Sequence, residues 1–153
     1  MSQELLSICI PTYGRAKYLK AMLDAFAVQV KRDNITPEQV TFYISDNCSP
    51  DETPQVIDEF ARNVPQLVRV RNEKNIGGDN NIFFVRTLGK GKYIWVAGDD
   101  ELVCDHALAN VLRLLREHSP GLVIAYNSKY DHNIPSPGVF PNYLDFARER
   151  CCS

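Results

Sequence analysis

The sequence predicts an α/β domain with a mostly parallel sheet and helices on both faces. Short, nearly continuous apolar runs alternate with segments whose apolar residues recur at helical spacing. Polar and acidic residues collect just after the apolar runs, at the strand ends where an open α/β sheet binds its ligands. A length of 153 residues suits one domain with a real core.

The elements follow in order. Leu5-Leu6-Ser7-Ile8-Cys9-Ile10 reads as a strand buried on both faces. Pro11 has no N–H to donate and is expected to end it. Thr12-Tyr13-Gly14-Arg15 then forms a compact polar loop. Tyr18, Leu19, Met22, Leu23, Phe26 and Val30 predict a helix over residues 15–29. Residues 32–38, with Pro37, read as a loop. Val40-Thr41-Phe42-Tyr43-Ile44-Ser45 is the second strand, closing on Asp46. Ser49-Pro50-Asp51-Glu52 has the form of a capping box with Pro at the first helical position. Val56, Ile57 and Phe60 mark the buried face of that helix. Pro65 ends the segment, and Leu67-Val68-Arg69-Val70 is the third strand.

Asn72-Glu73-Lys74-Asn75-Ile76-Gly77-Gly78-Asp79-Asn80-Asn81 puts two glycines and several amides ahead of a helix facing inward through Ile82, Val85 and Leu88. Gly89-Lys90-Gly91 turns into Tyr93-Ile94-Trp95-Val96-Ala97-Gly98-Asp99-Asp100-Glu101, a strand that ends in three carboxylates. Leu108, Val111, Leu112 and Leu115 give a further helix, stopped by Ser119-Pro120. Leu122-Val123-Ile124-Ala125-Tyr126 is expected to be a fifth strand.

Three adjoining acids repel one another, and a hard divalent cation accepts such ligands and relieves the repulsion. The other reading is a helix start, because acids are favoured near the N-terminus of a following helix. Each remaining cluster also has two readings. Thr12 to Arg15 is a ligand loop or a plain turn. Asp46 is a binding acid or a cap. Gly77-Gly78 fits neither a dinucleotide fingerprint nor a P-loop, and reads as a phosphate-free helix entry or a ligand wall. Together the edge offers acids, amides and one Arg, which suits a nucleotide held through a divalent metal.

Composition excludes several classes. A hydrophobic fraction of 44% against 24% charged is globular usage. The net charge is −2, with no basic run of the kind that binds nucleic acid. No apolar stretch is long enough to span a bilayer, and the N-terminus shows no signal-peptide pattern. Cys9, Cys48, Cys104, Cys151 and Cys152 are odd in number, show no metal-ligand spacing and include an adjacent pair. These features read as a soluble protein of a reducing compartment.

Four pieces in this order resemble the family 2 glycosyltransferases, enzymes of the Rossmann-like GT-A fold that use nucleotide-diphosphate sugars. They are Ser7-Ile8-Cys9-Ile10-Pro11-Thr12-Tyr13-Gly14-Arg15, Ile44-Ser45-Asp46-Asn47-Cys48-Ser49-Pro50-Asp51-Glu52-Thr53, Asn75-Ile76-Gly77-Gly78-Asp79-Asn80-Asn81, and Tyr93-Ile94-Trp95-Val96-Ala97-Gly98-Asp99-Asp100. Each motif is loose by itself, and the ordered set is specific.

The resemblance implies roles. Pro11, Thr12, Tyr13 and Arg15 would line the nucleotide, with Tyr13 near the base. Asp46 would accept a hydrogen bond from the base's ring N–H. Asn75 and Gly77 would shape the wall beside base and ribose. Asp99 and Asp100 would be the metal motif for Mg²⁺ or Mn²⁺, Asp100 as the main ligand and Asp99 nearer the ribose. Ala97 stands where many members carry an acid, and Asp46-Asn47 replaces the usual acidic pair. The implied donor is a UDP- or dTDP-sugar, with a CDP-sugar as the alternative.

By the same resemblance, the reaction is an inverting transfer to a saccharide or lipid-linked acceptor. The motif wording is similar to that of enzymes building bacterial surface polysaccharides, which implies a cytoplasmic protein, peripheral at the inner face of the membrane. Residues 1–130 would be the nucleotide-sugar-binding core. Residues 131–153 would be a partial acceptor-side segment or a truncated tail. Asp131, His132, Asp145 and Glu149 are the acids and bases available there, and none matches a motif, so no catalytic base is assigned. The competing reading is a nucleotide-sugar-binding module without transfer activity. A sugar-nucleotidyltransferase would want a glycine-rich basic loop after the first strand, which Pro11 to Arg15 does not resemble.

Overall fold

The computed structural model describes residues 4–121 and 123. Strand β1 (Leu6–Thr12) leads through helix α1 (Ala16–Arg32) to β2 (Val40–Asp46), and α2 (Thr53–Asn63) leads to β3 (Leu67–Arg71). Helix α3 (Gly78–Leu88) precedes β4 (Tyr93–Val96), and α4 (Ala107–His118) follows it. The chain divides into residues 1–113 and 114–153, the boundary falling within α4. The sheet and the candidate site belong to the first unit. No helix among the described residues is long and apolar enough to cross a membrane.

Among the described residues all strand pairings are parallel, in the order β3-β2-β1-β4. Handedness then distributes the helices. The steps β1 to β2 and β2 to β3 run in one direction, so right-handed crossovers place α1 and α2 on the same face. The step from β3 to β4 runs back across the sheet and places α3 on the opposite face. The contacts agree: α1 packs on α2, and α3 lies over β1, β2 and β4. The predicted fold class, with helices on both faces, is what forms.

The register explains the core. Ile8 pairs with Phe42 and with Trp95, so the three side chains share the α1/α2 face. Phe26 of α1 meets the rings of Phe42 and Trp95 edge-on at 5.3 and 6.0 Å. Cys9 and Tyr43 point the other way and pack with Val85 of α3. Burial, with the Glu4 carboxylate nearby, pushes the Cys9 thiol up to about 11. At the amino end of the sheet Ser7 Oγ accepts the Lys90 and Gly91 N–H groups at 3.0 and 2.8 Å, fixing where β4 begins. A Cβ on Gly91 would lie 2.8 Å from Ser7 N, so the approach requires glycine.

Several expectations are corrected. Pro11 does not end β1, which runs on to Thr12. Helix α1 continues to Arg32, past the expected end at 29, closing with Lys31 and Arg32 in its last turn. Tyr18 is 57% exposed and lies off the buried stripe. Helix α2 starts at Thr53, with Pro54 in its first turn, and not at Pro50. On α3 the buried residues are Asn81 and Val85, while Ile82 is exposed. The expected fifth strand over 122–126 lies, apart from Val123, outside the described residues.

Candidate functional site

The site begins where two strands stop at different heights. Strand β1 pairs with β4 only from Leu6↔Tyr93 to Cys9↔Val96, but with β2 as far as Thr12↔Asp46. Past the Ala97 N–H to Cys9 O bond the chain leaves β1 and meets it again where Thr12 bonds Asp99, which leaves an opening beside Pro11. Backbone polar groups on a strand alternate sides, and Cys9 O accepts the Ala97 N–H on the β4 side. Pro11, two residues on, would therefore have aimed its N–H into the opening, and losing that donor leaves the β2 ladder intact. In this strand order the chain leaves β1 toward β2 on one side and reaches β4 on the other. That makes the opening the topological switch point, where open α/β sheets bind ligands.

Two of the three acids converge there. Thr12 Oγ1 donates to Asp99 Oδ2 at 2.8 Å, both residues buried. One Arg15 nitrogen, Nη1, reaches Asp99 Oδ1 at 3.4 Å and Asp100 Oδ2 at 2.6 Å. Burial raises the Asp99 carboxyl above the ordinary range, and the Asp100 charge adds to it. The Thr12 hydroxyl, the Arg15 cation and the Tyr13 N–H oppose that shift without cancelling it. Glu101 turns away: its Oε1 accepts the Gly98 N–H at 3.0 Å and closes the loop. Helix α4 has no acid in its first turn, so the helix-start reading of this stretch fails.

The loop after β1 is tied to the loop after β2. Gly14, at φ +63°, donates its N–H to Ser49 Oγ at 2.9 Å. Ala16, the first residue of α1, donates its N–H to Asp51 Oδ2 at 3.0 Å, so this helix is capped from the neighbouring loop. Burial pushes the Asp51 carboxyl up, but bonds from Thr53 and the Ala16 N–H outweigh it and hold the group below the usual range. Ser49 is committed to this tie, while Asp51 serves both helices, its Oδ1 accepting the Thr53 N–H at 3.1 Å where α2 begins.

Asp46 ends β2 buried, accepting the Ser49 N–H at 2.8 Å and Arg71 Nη1 at 2.7 Å. Arg71 Nη2 also reaches Ser49 O at 2.9 Å. Sequence reading missed Arg71; the signal was a strand ending on Arg beside one ending on Asp.

Next to Asp46, Asn47 is the hub of an amide cluster. Its Nδ2 donates to Asn75 Oδ1 at 2.9 Å and Gly77 O at 3.3 Å. Its Oδ1 accepts Asn72 Nδ2 at 3.0 Å and the Ile76 N–H at 2.9 Å. Asn75 Oδ1 also accepts the N–H of Gly77, whose φ of +87° suits glycine. Asn81 extends the cluster: its Oδ1 accepts from Ser45 Oγ at 2.6 Å and Asn72 Nδ2 at 3.1 Å. Asn47→Ala strands several of these groups at once. It is expected to cost about 1–3 kcal/mol in urea unfolding and to raise hydrogen exchange at Ile76. Unchanged exchange there would show that the loop holds its shape without Asn47.

The structure therefore brings Pro11, Thr12, Arg15, Asp99 and Asp100 into one group. Asp46, Asn75 and Gly77 form a second. The two adjoin through the Thr12↔Asp46 pairing and the Asn47 N–H to Thr12 O bond of 2.9 Å. Tyr13 stands between loop and solvent, 46% exposed. Asp131, His132, Asp145 and Glu149 lie outside the described residues.

Among the described residues no three or more His, Cys, Asp or Glu side chains stand close enough to hold a metal. Two carboxylates fit another kind of metal site. Mg²⁺-type ions are held by one or two carboxylates with substrate phosphates and water completing the shell. Asp99 and Asp100 are hard oxygen donors that suit that part.

Solved structures with this fold are GT-A glycosyltransferases. Staphylococcus aureus TarS 1–349, in complex with UDP-GlcNAc, superimposes with a TM-score of 0.65 at 21% identity, over 75% of this chain and 32% of that one. The mannosyltransferase PcManGT of Pyrobaculum calidifontis, in complex with GDP-Man and Mn²⁺, gives 0.63 at 20% identity, over 78% and 34%. The particular family comes from sequence. Residues 7–145 match the profile of glycosyl transferase family 2, and the chain belongs to that family. The abequosyltransferase RfbV of Salmonella typhimurium is 36% identical over 107 residues, covering 69% of this chain and 31% of its own. Glycosyltransferase GlyG of Streptococcus pneumoniae is 25% identical over 142 residues, covering 92% and 44%. The chain thus spans less than half the length of these relatives.

Proposed function

We propose that this chain is the donor-binding core of an inverting glycosyltransferase that takes a nucleotide-diphosphate sugar. The observation that carries the reading is Thr12, Arg15, Asp99 and Asp100 meeting at the switch point of a family 2 sheet. Residues 1–130 form the core in this reading. Pro11 to Arg15 line the nucleotide, Tyr13 lies along the base, Asn75 and Gly77 form the wall, and Asp99 faces the ribose. A divalent ion, Mg²⁺ or Mn²⁺, held by Asp99 and Asp100 would neutralise charge on the departing diphosphate. Thr12 and the Tyr13 N–H keep Asp99 oriented for that task, and the Gly14–Ser49 and Ala16–Asp51 bonds hold the loop before any ligand arrives.

In the transfer, an acceptor hydroxyl oxygen bonds to the anomeric carbon from the face opposite the diphosphate. The carbon–oxygen bond to the diphosphate breaks with its electron pair, and a base takes the hydroxyl proton. The acceptor is a saccharide or lipid-linked saccharide of bacterial surface polysaccharide synthesis, met at the cytoplasmic face of the membrane. Kinship with RfbV and the motif wording support that part.

At the base, Asp46 and Arg71 are bonded to each other, and a base that shares or opens that pair would meet an acceptor and donors side by side. The imide edge of uracil or thymine, an N–H flanked by carbonyls, complements that pair. UDP- or dTDP-sugars are therefore the proposed donors, with CDP-sugars as the alternative. A second reading, donor binding without transfer, stands beside it because no residue is assigned as the base.

The test is calorimetric titration with UDP, dTDP, CDP and GDP, in Mn²⁺ and then in EDTA. Metal-dependent binding of UDP or dTDP is expected. A folded protein that binds no nucleotide under either condition would overturn the donor site.

A further inference from the structure

We propose that Arg15 is a cation latch on the acid pair: without donor it holds Asp99 and Asp100, and an arriving diphosphate draws it away, so nucleotide and divalent ion bind cooperatively. The inference rests on the reading of the two acids as metal ligands.

A single nitrogen carries the contact, Arg15 Nη1 lying 2.6 Å from Asp100 Oδ2 and 3.4 Å from Asp99 Oδ1. A guanidinium does not lose its proton in a protein, so Arg15 is a fixed positive charge at the oxygens a metal would need. A divalent ion arriving alone must displace that charge and leave it without a counterion.

A diphosphate changes the balance. Its oxygens accept the planar fork of an Arg side chain better than a single carboxylate contact does. The first N–H of α1, on Ala16, is already committed to Asp51, so Arg15 and not that donor is the phosphate's partner at this loop. The side chain is free to make the move. It is half exposed, and it projects from the residue that precedes α1, so its swing disturbs no helical hydrogen bond. Once Arg15 turns to the diphosphate, Asp100 is released to the ion that the same diphosphate helps to hold. Each ligand then tightens the other by the same factor, as linkage requires.

The test is Mn²⁺ titration of the full chain, read as loss of the free aquo-Mn²⁺ EPR signal, with and without UDP. Without nucleotide, Arg15→Ala is expected to bind Mn²⁺ about tenfold tighter than the native protein. UDP should tighten Mn²⁺ binding strongly in the native protein and much less in Arg15→Ala. Arg15→Lys keeps the charge, so its Mn²⁺ affinity without nucleotide should stay close to native, while the lost planar fork should weaken the tightening by UDP. Mn²⁺ binding to Arg15→Ala no tighter than native, without nucleotide, overturns the latch. Asp100→Asn separates the two levels: if it binds Mn²⁺ as well as the native chain with UDP present, the acids are not the metal site and the reading beneath the latch fails first.

Discussion

Asp100→Ala is expected to abolish metal-dependent nucleotide binding while leaving the fold intact. Asp100 is half exposed, and its charge partner Arg15 is also half exposed, so the pair contributes little to folding in water. Its value lies in ligand binding. A metal ion bridging protein and phosphate supplies several kcal/mol, and about 3 kcal/mol of that corresponds to roughly a hundredfold in Kd. The mutant's Kd for nucleoside diphosphate in Mn²⁺ should therefore rise about a hundredfold, to near the value of the native chain in EDTA. Calorimetry reads this directly, and circular dichroism melts confirm the fold. A mutant that keeps its Mn²⁺ dependence within a few-fold of native would remove Asp100 from the metal site.

Phe26→Ala should carry the largest effect on stability. Its ring is fully buried and sits edge-on to Phe42 of β2 and Trp95 of β4, joining α1 to a central strand and an outer strand of the described sheet. Truncating a buried Phe costs about 3–5 kcal/mol through lost burial and the cavity left behind. Domains hold only about 5–15 kcal/mol in total. Urea unfolding should show that loss, whereas Tyr18→Ala, on the exposed side of the same helix, should change stability by under about 0.5 kcal/mol. Equal effects at the two positions would mean that α1 packs through a different face. The site would feel the change too, because Trp95 lies in the strand that delivers Asp99.

These contrasts show what the sequence made legible. Apolar runs and helical spacing marked every strand and helix within the described core, and the acids at the end of β4 stood out by their mutual repulsion. Thr12, Asp46, Asp99 and Asp100 were visible as polar residues at strand ends. Their partners were not. Arg71 reaches Asp46 across 25 residues and Asn81 reaches Ser45 across 36, and such pairings depend on sheet register rather than local pattern. Local pattern also misled. Ser49-Pro50-Asp51-Glu52 has every mark of a helix start, yet Ser49 takes the Gly14 N–H and Asp51 is shared between the N–H groups of Ala16 and Thr53. The helix starts instead at Thr53, with Pro54 in its first turn. Tyr18 and Ile82 sat at the margins of their apolar stripes, where periodicity alone does not separate facing inward from facing out.

Pro11 has a consequence for how the protein behaves in a crowded solution. An opening between two strands of unequal length exposes backbone that another chain's strand can zip into, the usual start of edge-to-edge association. Here Pro11, the next residue of β1 after Cys9 to face the β4 side, carries no hydrogen to offer. A stray strand entering the gap would lose a rung of its ladder at the first step. Pro11 therefore discourages strand addition at the end of β1, beside the proposed donor site.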